Sequence, residues 1–288
     1  MSLIICNNIG NGFVNEEFDK TKQDPINLIP GELVLEVFSH LNLATLGTIC
    51  CVSKEWKRLA SKPTLWKIAI YREIAFGNDK WAQCFGKDIV KDEDSREEFS
   101  SLPLDIVEDY KRFQSAFPEK NAKDSLMLVR LPKTLNGQLT LKSLGELAKK
   151  YFSDSNTGYR FIWSAIFVDE LEDKSIDKSR WVLMTKDVLP ESRNKSYAEQ
   201  QDIVGKLVQK ALIGYEIPET LEAAVCILAQ YFDSNMRLFS DNPLTYTRCK
   251  NKVQDFQTAV GGFTPTGLCV RYRNSADDSI GVAALRKF

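Results

Sequence analysis

A single histidine, His40, stands in the 288 residues, and the second half of the chain has none. A Ser–His–Asp or Cys–His nucleophilic machine is therefore excluded there. The same scarcity disfavours a zinc site of mixed His and Cys at ordinary spacings. Seven cysteines, at positions 6, 50, 51, 84, 226, 249 and 269, form no Cys-x-x-Cys pair, and their number is odd. That pattern fits free thiols in a reducing compartment and not a disulfide framework. Cys50 and Cys51 lie in an apolar stretch and read as small core hydrophobes. No metal and no cofactor is expected.

Neither sign of charge is in excess: 38 basic residues face 39 acidic ones, a formal net charge of -1. No global field points to nucleic acid or to an anionic membrane, so neither is expected as a partner. No apolar run approaches the roughly 20 residues that span a bilayer. Met1 to Cys6 holds only Leu3-Ile4-Ile5-Cys6 with no basic residue before it, too weak for a secretory signal. The expectation is a soluble intracellular protein. Gly10-Asn11-Gly12 and Gly261-Gly262 lack the Lys-Ser/Thr of a phosphate-cradling loop. No repeat period runs through the chain.

What is present is an ordinary globular composition, 43% hydrophobic and 27% charged, at a length that suits two modest domains. Residues 1–25 are polar and read as a flexible lead-in. From Leu28 to Ile74 the pattern is helical. Pro30 opens the first helix, with Glu32 in its first turn, and Leu33, Val37, Phe38 and Leu41 form one apolar stripe. Asn42 reads as the N-cap of a second helix with Leu46 and Ile49 inward, and Ser53 as the N-cap of a third ending near Ser61. Pro63 starts a segment carrying Leu65, Trp66, Ile70 and Tyr71.

Residues 87–98 form a charged stretch, read as a solvated loop or exposed helix face. A helix from Pro103 to about Ala116 follows, Pro118 stops it, and Glu119 to Asp124 is the best linker candidate. Residues 76–122 are thus read as a helical linker region before a domain at 123–288. In that domain Ser125–Leu131 and Arg180–Thr185 read as strands. Leu141–Phe152, Tyr197–Leu212 and Pro218–Phe232 read as helices. Strands are then expected at Tyr246–Lys250, Thr258–Phe263, Gly267–Tyr272 and Gly281–Leu285, with Gly261-Gly262 and Pro265-Thr266-Gly267 as the turns. The fold class is α+β, a helical N-terminal unit followed by a domain with a mixed or antiparallel sheet.

A weak echo links Leu147-Ala148 and Tyr151-Phe152 to Leu228-Ala229 and Tyr231-Phe232, each followed by Asp-Ser-Asn. Two helices ending on similar turns explain it more simply than a duplication. Asp169-Glu170 and Glu172-Asp173 read as solvated turns before acid–base pairs. Tyr246, Arg248, Arg271 and Tyr272 either line a groove for a peptide or nucleotide or decorate an exposed strand face.

Landmarks from Leu28 to Trp66 carry a resemblance. They are Leu28-Ile29-Pro30-Gly31-Glu32-Leu33, then Glu36-Val37-Phe38-Ser39-His40-Leu41, Leu43-Ala44-Thr45-Leu46, Cys50-Cys51-Val52-Ser53-Lys54-Glu55-Trp56-Lys57-Arg58-Leu59, and a closing Leu65-Trp66. The segment, about a sixth of the chain, resembles the F-box, and residues 26–75 are assigned to it. Two departures occur: Ile29 is inserted where Leu and Pro usually touch, and Val52-Ser53-Lys54 stands where Val-Cys-Lys is commoner.

The resemblance implies a trihelical unit and a non-catalytic adaptor. Such an adaptor binds a Skp-type subunit, through it a cullin–RING ubiquitin ligase, and recruits an unidentified protein substrate with the second domain. Leu28, Ile29, Pro30, Glu32, Leu33, Val37 and Phe38 would face the Skp-type partner. Leu41, Leu46, Val52, Trp56, Leu65 and Trp66 complete the binding set, with Leu41, Leu46, Trp56 and Trp66 more often holding the trihelix together. The second domain is similar, faintly, to the C-terminal parts of F-box proteins of chlamydia-like bacteria living inside amoebae. That similarity implies a secreted effector acting in a host cytoplasm. The alternative is an enzyme whose catalytic unit is the second domain, with the F-box as a localiser.

Overall fold

The computed structural model describes residues 25–90, 101–103, 105–152, 158–161, 169–239, 241–272 and 276–288. The lead-in at 1–24, most of the charged stretch and Asp154–Asn156 of the echo lie outside the described residues. Two compact units are present: residues up to Ile74 with 105–108, and Ala75–Pro103 with Asp109–Phe288.

The first unit holds four helices, α1 (Gly31–Ser39), α2 (Leu43–Ile49), α3 (Lys54–Ala60) and α4 (Pro63–Glu73), after a 3-10 turn at Pro25–Leu28. The second unit begins with β1 (Ala75–Phe76) and α5 (Asn78–Phe85). Helices α6 (Ile106–Ala116) and α7 (Ala122–Ser125) then lead to β2 (Leu126–Leu131), α8 (Leu141–Ala148), β3 (Tyr159–Phe161), α9 (Asp169–Glu172) and β4 (Arg180–Thr185). Helices α10 (Tyr197–Ala211) and α11 (Thr220–Ser234) precede β5 (Tyr246–Val253), β6 (Phe256–Thr264), β7 (Gly267–Tyr272), β8 (Ile280–Gly281) and β9 (Leu285–Lys287).

These strands make two mixed sheets where one was expected. The first has the order β1-β2-β4-β9, with β1 parallel to β2 and the other pairs antiparallel. The second has the order β3-β7-β6-β5-β8, with β3–β7 and β5–β8 parallel and the hairpins antiparallel. Helix α11 touches β2 of the first sheet and β5, β6 and β7 of the second. Eleven of its fifteen residues are buried, so it has no polar side to give to water and acts as the spine of this unit.

Several expectations are corrected here. Residues 76–122 are not only a linker: β1 pairs with β2, and Trp81 is fully buried against Phe76 and Phe232. Gly261 and Gly262 do not form a turn. They sit inside β6 at a register shift, with φ of 147° and 61°, and the β5–β6 turn falls at Gln254 and Asp255. A bulge and a turn both call for glycine, and sequence alone does not separate them. Tyr246 and Arg248 are buried and not on an exposed strand face, with the Arg271 guanidinium 3.5 Å from the Tyr246 ring centroid. The echo has a spatial meaning, because its two helix ends meet. Phe152 stacks on Tyr231 at 5.2 Å between centroids, and the Tyr151 ring lies tilted against Phe232 at 4.6 Å.

Candidate functional site

Helix boundaries in the first unit follow local chemistry. Asn42 Oδ1 accepts the Thr45 N–H at 2.7 Å and starts α2. Ser53 Oγ accepts the Trp56 N–H at 3.3 Å and starts α3. Pro63 occupies the first turn of α4, where its missing N–H costs nothing. Pro30 caps α1 from just outside it.

Helix α4 then ties the others down. The Leu43 N–H donates to Glu73 Oε1 at 2.5 Å, and Arg72 donates to the Ser39 carbonyl at 2.7 Å. Trp66 Nε1 donates to the Ala60 carbonyl at 2.8 Å. The interior is built from Val34, Phe38, Leu43, Leu46, Leu59, Leu65, Ala69 and Ile70.

The apolar stripe expected on α1 is in fact two. Val34 and Phe38, four apart, point into the core, while Leu33 and Val37, also four apart, point to water. Phe38 is only 3% exposed and its ring centroid lies 5.7 Å from that of Trp56. It therefore belongs to the core and not to the outer face where the sequence put it. Leu46 and Leu65 are likewise buried, and Leu41, Trp56 and Trp66 are half-buried, so these side chains hold the trihelix together.

The outer face keeps Leu28 (71% exposed), Ile29 (50%), Leu33 (57%), Val37 (61%) and Val52 (59%), with Pro30 and Glu32 exposed among them. Leu33 and Val37, one turn apart, form a ridge on α1, and Leu28 and Ile29 precede the helix. Among the described residues, five of the nine large apolar side chains left in water lie on this one small unit. Sequence reasoning missed Val34 as a core residue. It also placed Cys50 and Cys51 in the core, whereas Cys50 is half-buried and Cys51 exposed. His40 is exposed, 3.4 Å from Glu36 Oε1.

The four-helix unit closes its own core and still keeps large apolar side chains in water. Residues 26–69 match the model of the F-box-like family, so this segment is an F-box-like domain. Domains of that family bind Skp-type proteins. No curated protein and no solved structure matches the chain. The family match names a domain and no source, so it does not bear on the similarity to proteins of chlamydia-like bacteria. No described helix is long and apolar enough to cross a membrane. Among the described residues no group of three or more His, Cys, Asp or Glu is arranged to hold a metal ion.

Proposed function

We propose that this chain is a substrate-receptor subunit of a cullin–RING ubiquitin ligase. The ridge of Leu28, Ile29, Leu33, Val37 and Val52 docks a Skp-type adaptor, and the second unit holds the protein to be modified. The observation that carries the reading is the separation of α1 into a buried pair, Val34 and Phe38, and an exposed pair, Leu33 and Val37. A helix of a closed core needs only the first pair. The second supports helix-in-groove docking to a partner.

A cavity in the second unit, described below, favours binding over chemistry. Its hydroxyls include Thr185, whose Oγ1 donates to the Asp187 carbonyl and accepts the Ala284 N–H, and no histidine or cysteine lines it. In this reading the chain serves as scaffold, and ubiquitin is carried by other subunits.

The test is reconstitution with a Skp-type adaptor, a cullin–RING pair and a charged ubiquitin-conjugating enzyme. The reading expects ubiquitin on the receptor chain itself, dependent on the adaptor and abolished by Leu28→Ser/Leu33→Ser/Val37→Ser. An adaptor complex that never engages cullin would overturn the ligase role and leave a stabilising partnership in its place.

A further inference from the structure

A cleft of about 760 Å³ opens into the second unit, within the range of pockets that take small molecules or short peptides, about 300–1,000 Å³. It lies between the end of α6, α7, the end of β4 and the chain after α11. Three half-buried cations line it: Lys120, Lys186 and Arg193. None has a carboxylate within ion-pair distance among the described residues. The Lys120 ammonium lies 5.5 Å from the Phe117 ring centroid. Arg193 donates to two neutral acceptors, Thr245 Oγ1 at 2.6 Å and the Asp278 carbonyl at 3.2 Å.

Burial pulls the Lys186 ammonium below its ordinary value, with Asp124 opposing at longer range. The fourth cation, Arg237, is paired with Asp241. The two acids of the lining, Asp124 and Asp187, are exposed, and Asp187 already caps the Val188 N–H at 2.7 Å. The half-buried charge of the cleft is therefore positive and its exposed rim is acidic, an arrangement complementary to an anionic group that goes in.

Phe117, Leu189, Met236 and Leu238 supply an apolar wall, and Met236 is 62% exposed. A methionine left in water at a cleft suits contact with side chains of varied shape. Phe117 and Leu189 also form a wall of a second, smaller cleft of about 190 Å³, which adds Lys206 and Lys210, and the exposed Glu191, beside Ile203 and Leu207. The Lys210 ammonium is 5.1 Å from the same Phe117 ring. A ligand filling both clefts is elongated and meets cations and apolar surface together along its length.

We infer that the two neighbouring clefts, which share Phe117 and Leu189, bind an extended acidic peptide segment, with carboxylates on Lys186, Lys120 and Lys210 and large apolar side chains on Phe117, Leu189 and Met236. This deepens the receptor reading and rests on it for the choice of a protein ligand. Carboxylates rather than a lone anion are inferred because the lysines span two clefts and not one point.

The test uses the full chain without any adaptor and two fluorescein-labelled peptide mixtures. One contains Glu, Leu and Phe in random order, and the other has Gln for every Glu. Fluorescence anisotropy is expected to rise with the first mixture only. The binding is expected to weaken roughly tenfold in Lys186→Met and in the exposed charge reversal Lys210→Glu, the scale of one lost charge-assisted contact. Circular dichroism checks that each variant folds, and Lys210→Glu stands in if Lys186→Met does not.

Equal binding of the two mixtures, no binding of either, or full affinity in the folded variants would overturn the inference. Because adaptor docking uses a different unit and is measured separately, failure here leaves the Skp-type reading standing. Failure of adaptor docking, conversely, leaves a peptide-binding domain without a ligase.

Discussion

Phe38 packs on Trp56 inside the first unit, ring centroids 5.7 Å apart and planes at 38°, while Val37 beside it is 61% exposed. Two neighbours in sequence thus have different tasks. Phe38→Ala removes a buried aromatic ring and should cost about 3–5 kcal/mol of local stability, whereas Val37→Ala should stay within about 0.5 kcal/mol. Hydrogen exchange of amides in α1–α4 reads both. Loss of adaptor binding in Phe38→Ala would then report unfolding and not a lost contact.

The N-caps give a second, smaller expectation. Asn42→Ala and Ser53→Ala each remove the acceptor of a helix-opening N–H, at about 1 kcal/mol apiece. Chemical denaturation of the full chain, with exchange in α2 and α3 as the local probe, should show two additive decrements.

Gly261 is a third point. With φ at 147°, a Cβ there would meet the Thr245 carbonyl oxygen at 2.5 Å and Tyr246 Cα at 2.8 Å. Gly261→Ala should therefore destabilise the β5–β6 ladder by more than about 1 kcal/mol, visible as a lowered thermal midpoint.

A fourth expectation concerns pH. Lys287 Nζ lies 3.0 Å from both Glu222 and Glu216 and 3.1 Å from Glu219. Burial pulls its pKa down, but these carboxylates outweigh it and the net shift is upward from 10.5. A group raised on folding gives stability that is full below its unfolded value and fades as pH rises through the folded one. Burial pushes Glu216 up, the Lys250 and Lys287 ammonium groups outweigh that, and it ends below its ordinary 4.5. Its contribution is present above that value and fades as pH falls through the lowered one. Thermal unfolding should show a plateau with decline at both ends; burial also raises the Tyr110, Tyr215, Cys226 and Cys249 pKa values, so Lys287→Met should lessen the alkaline decline without abolishing it.

Much of this was legible where the cause is local. Asn42, Ser53 and Pro63 punctuate the helices as their chemistry requires, and Arg180–Thr185 and Gly267–Tyr272 are strands with the bounds read from sequence. The F-box landmarks placed the module, but not which side of α1 faces out. Leu33, Val34, Val37 and Phe38 satisfy a helical period in either orientation, and the packing of α1 on α3 and α4, with Phe38 against Trp56, chooses.

Long-range pairings were not legible. The joining of β1 to β2 and of β3 to β7, which divides one expected sheet into two, depends on residues about 50 and 110 positions apart that carry no local mark of each other. The lysines of the clefts were missed for the same reason, since Lys120, Lys186 and Lys210 converge only in the folded unit.

The central claim is that Leu28, Leu33 and Val37 form the adaptor-binding ridge. Calorimetric titration of a Skp-type adaptor into the full chain tests it most directly, with Leu28→Ser/Leu33→Ser/Val37→Ser as the comparison. Wild type should bind with a sub-micromolar Kd, and the variant, folded by circular dichroism, should lose at least about a hundredfold. That loss follows from forfeiting roughly 1 kcal/mol or more of burial at each position. A folded wild type that gives no binding, or a folded variant with an unchanged Kd, would contradict the account.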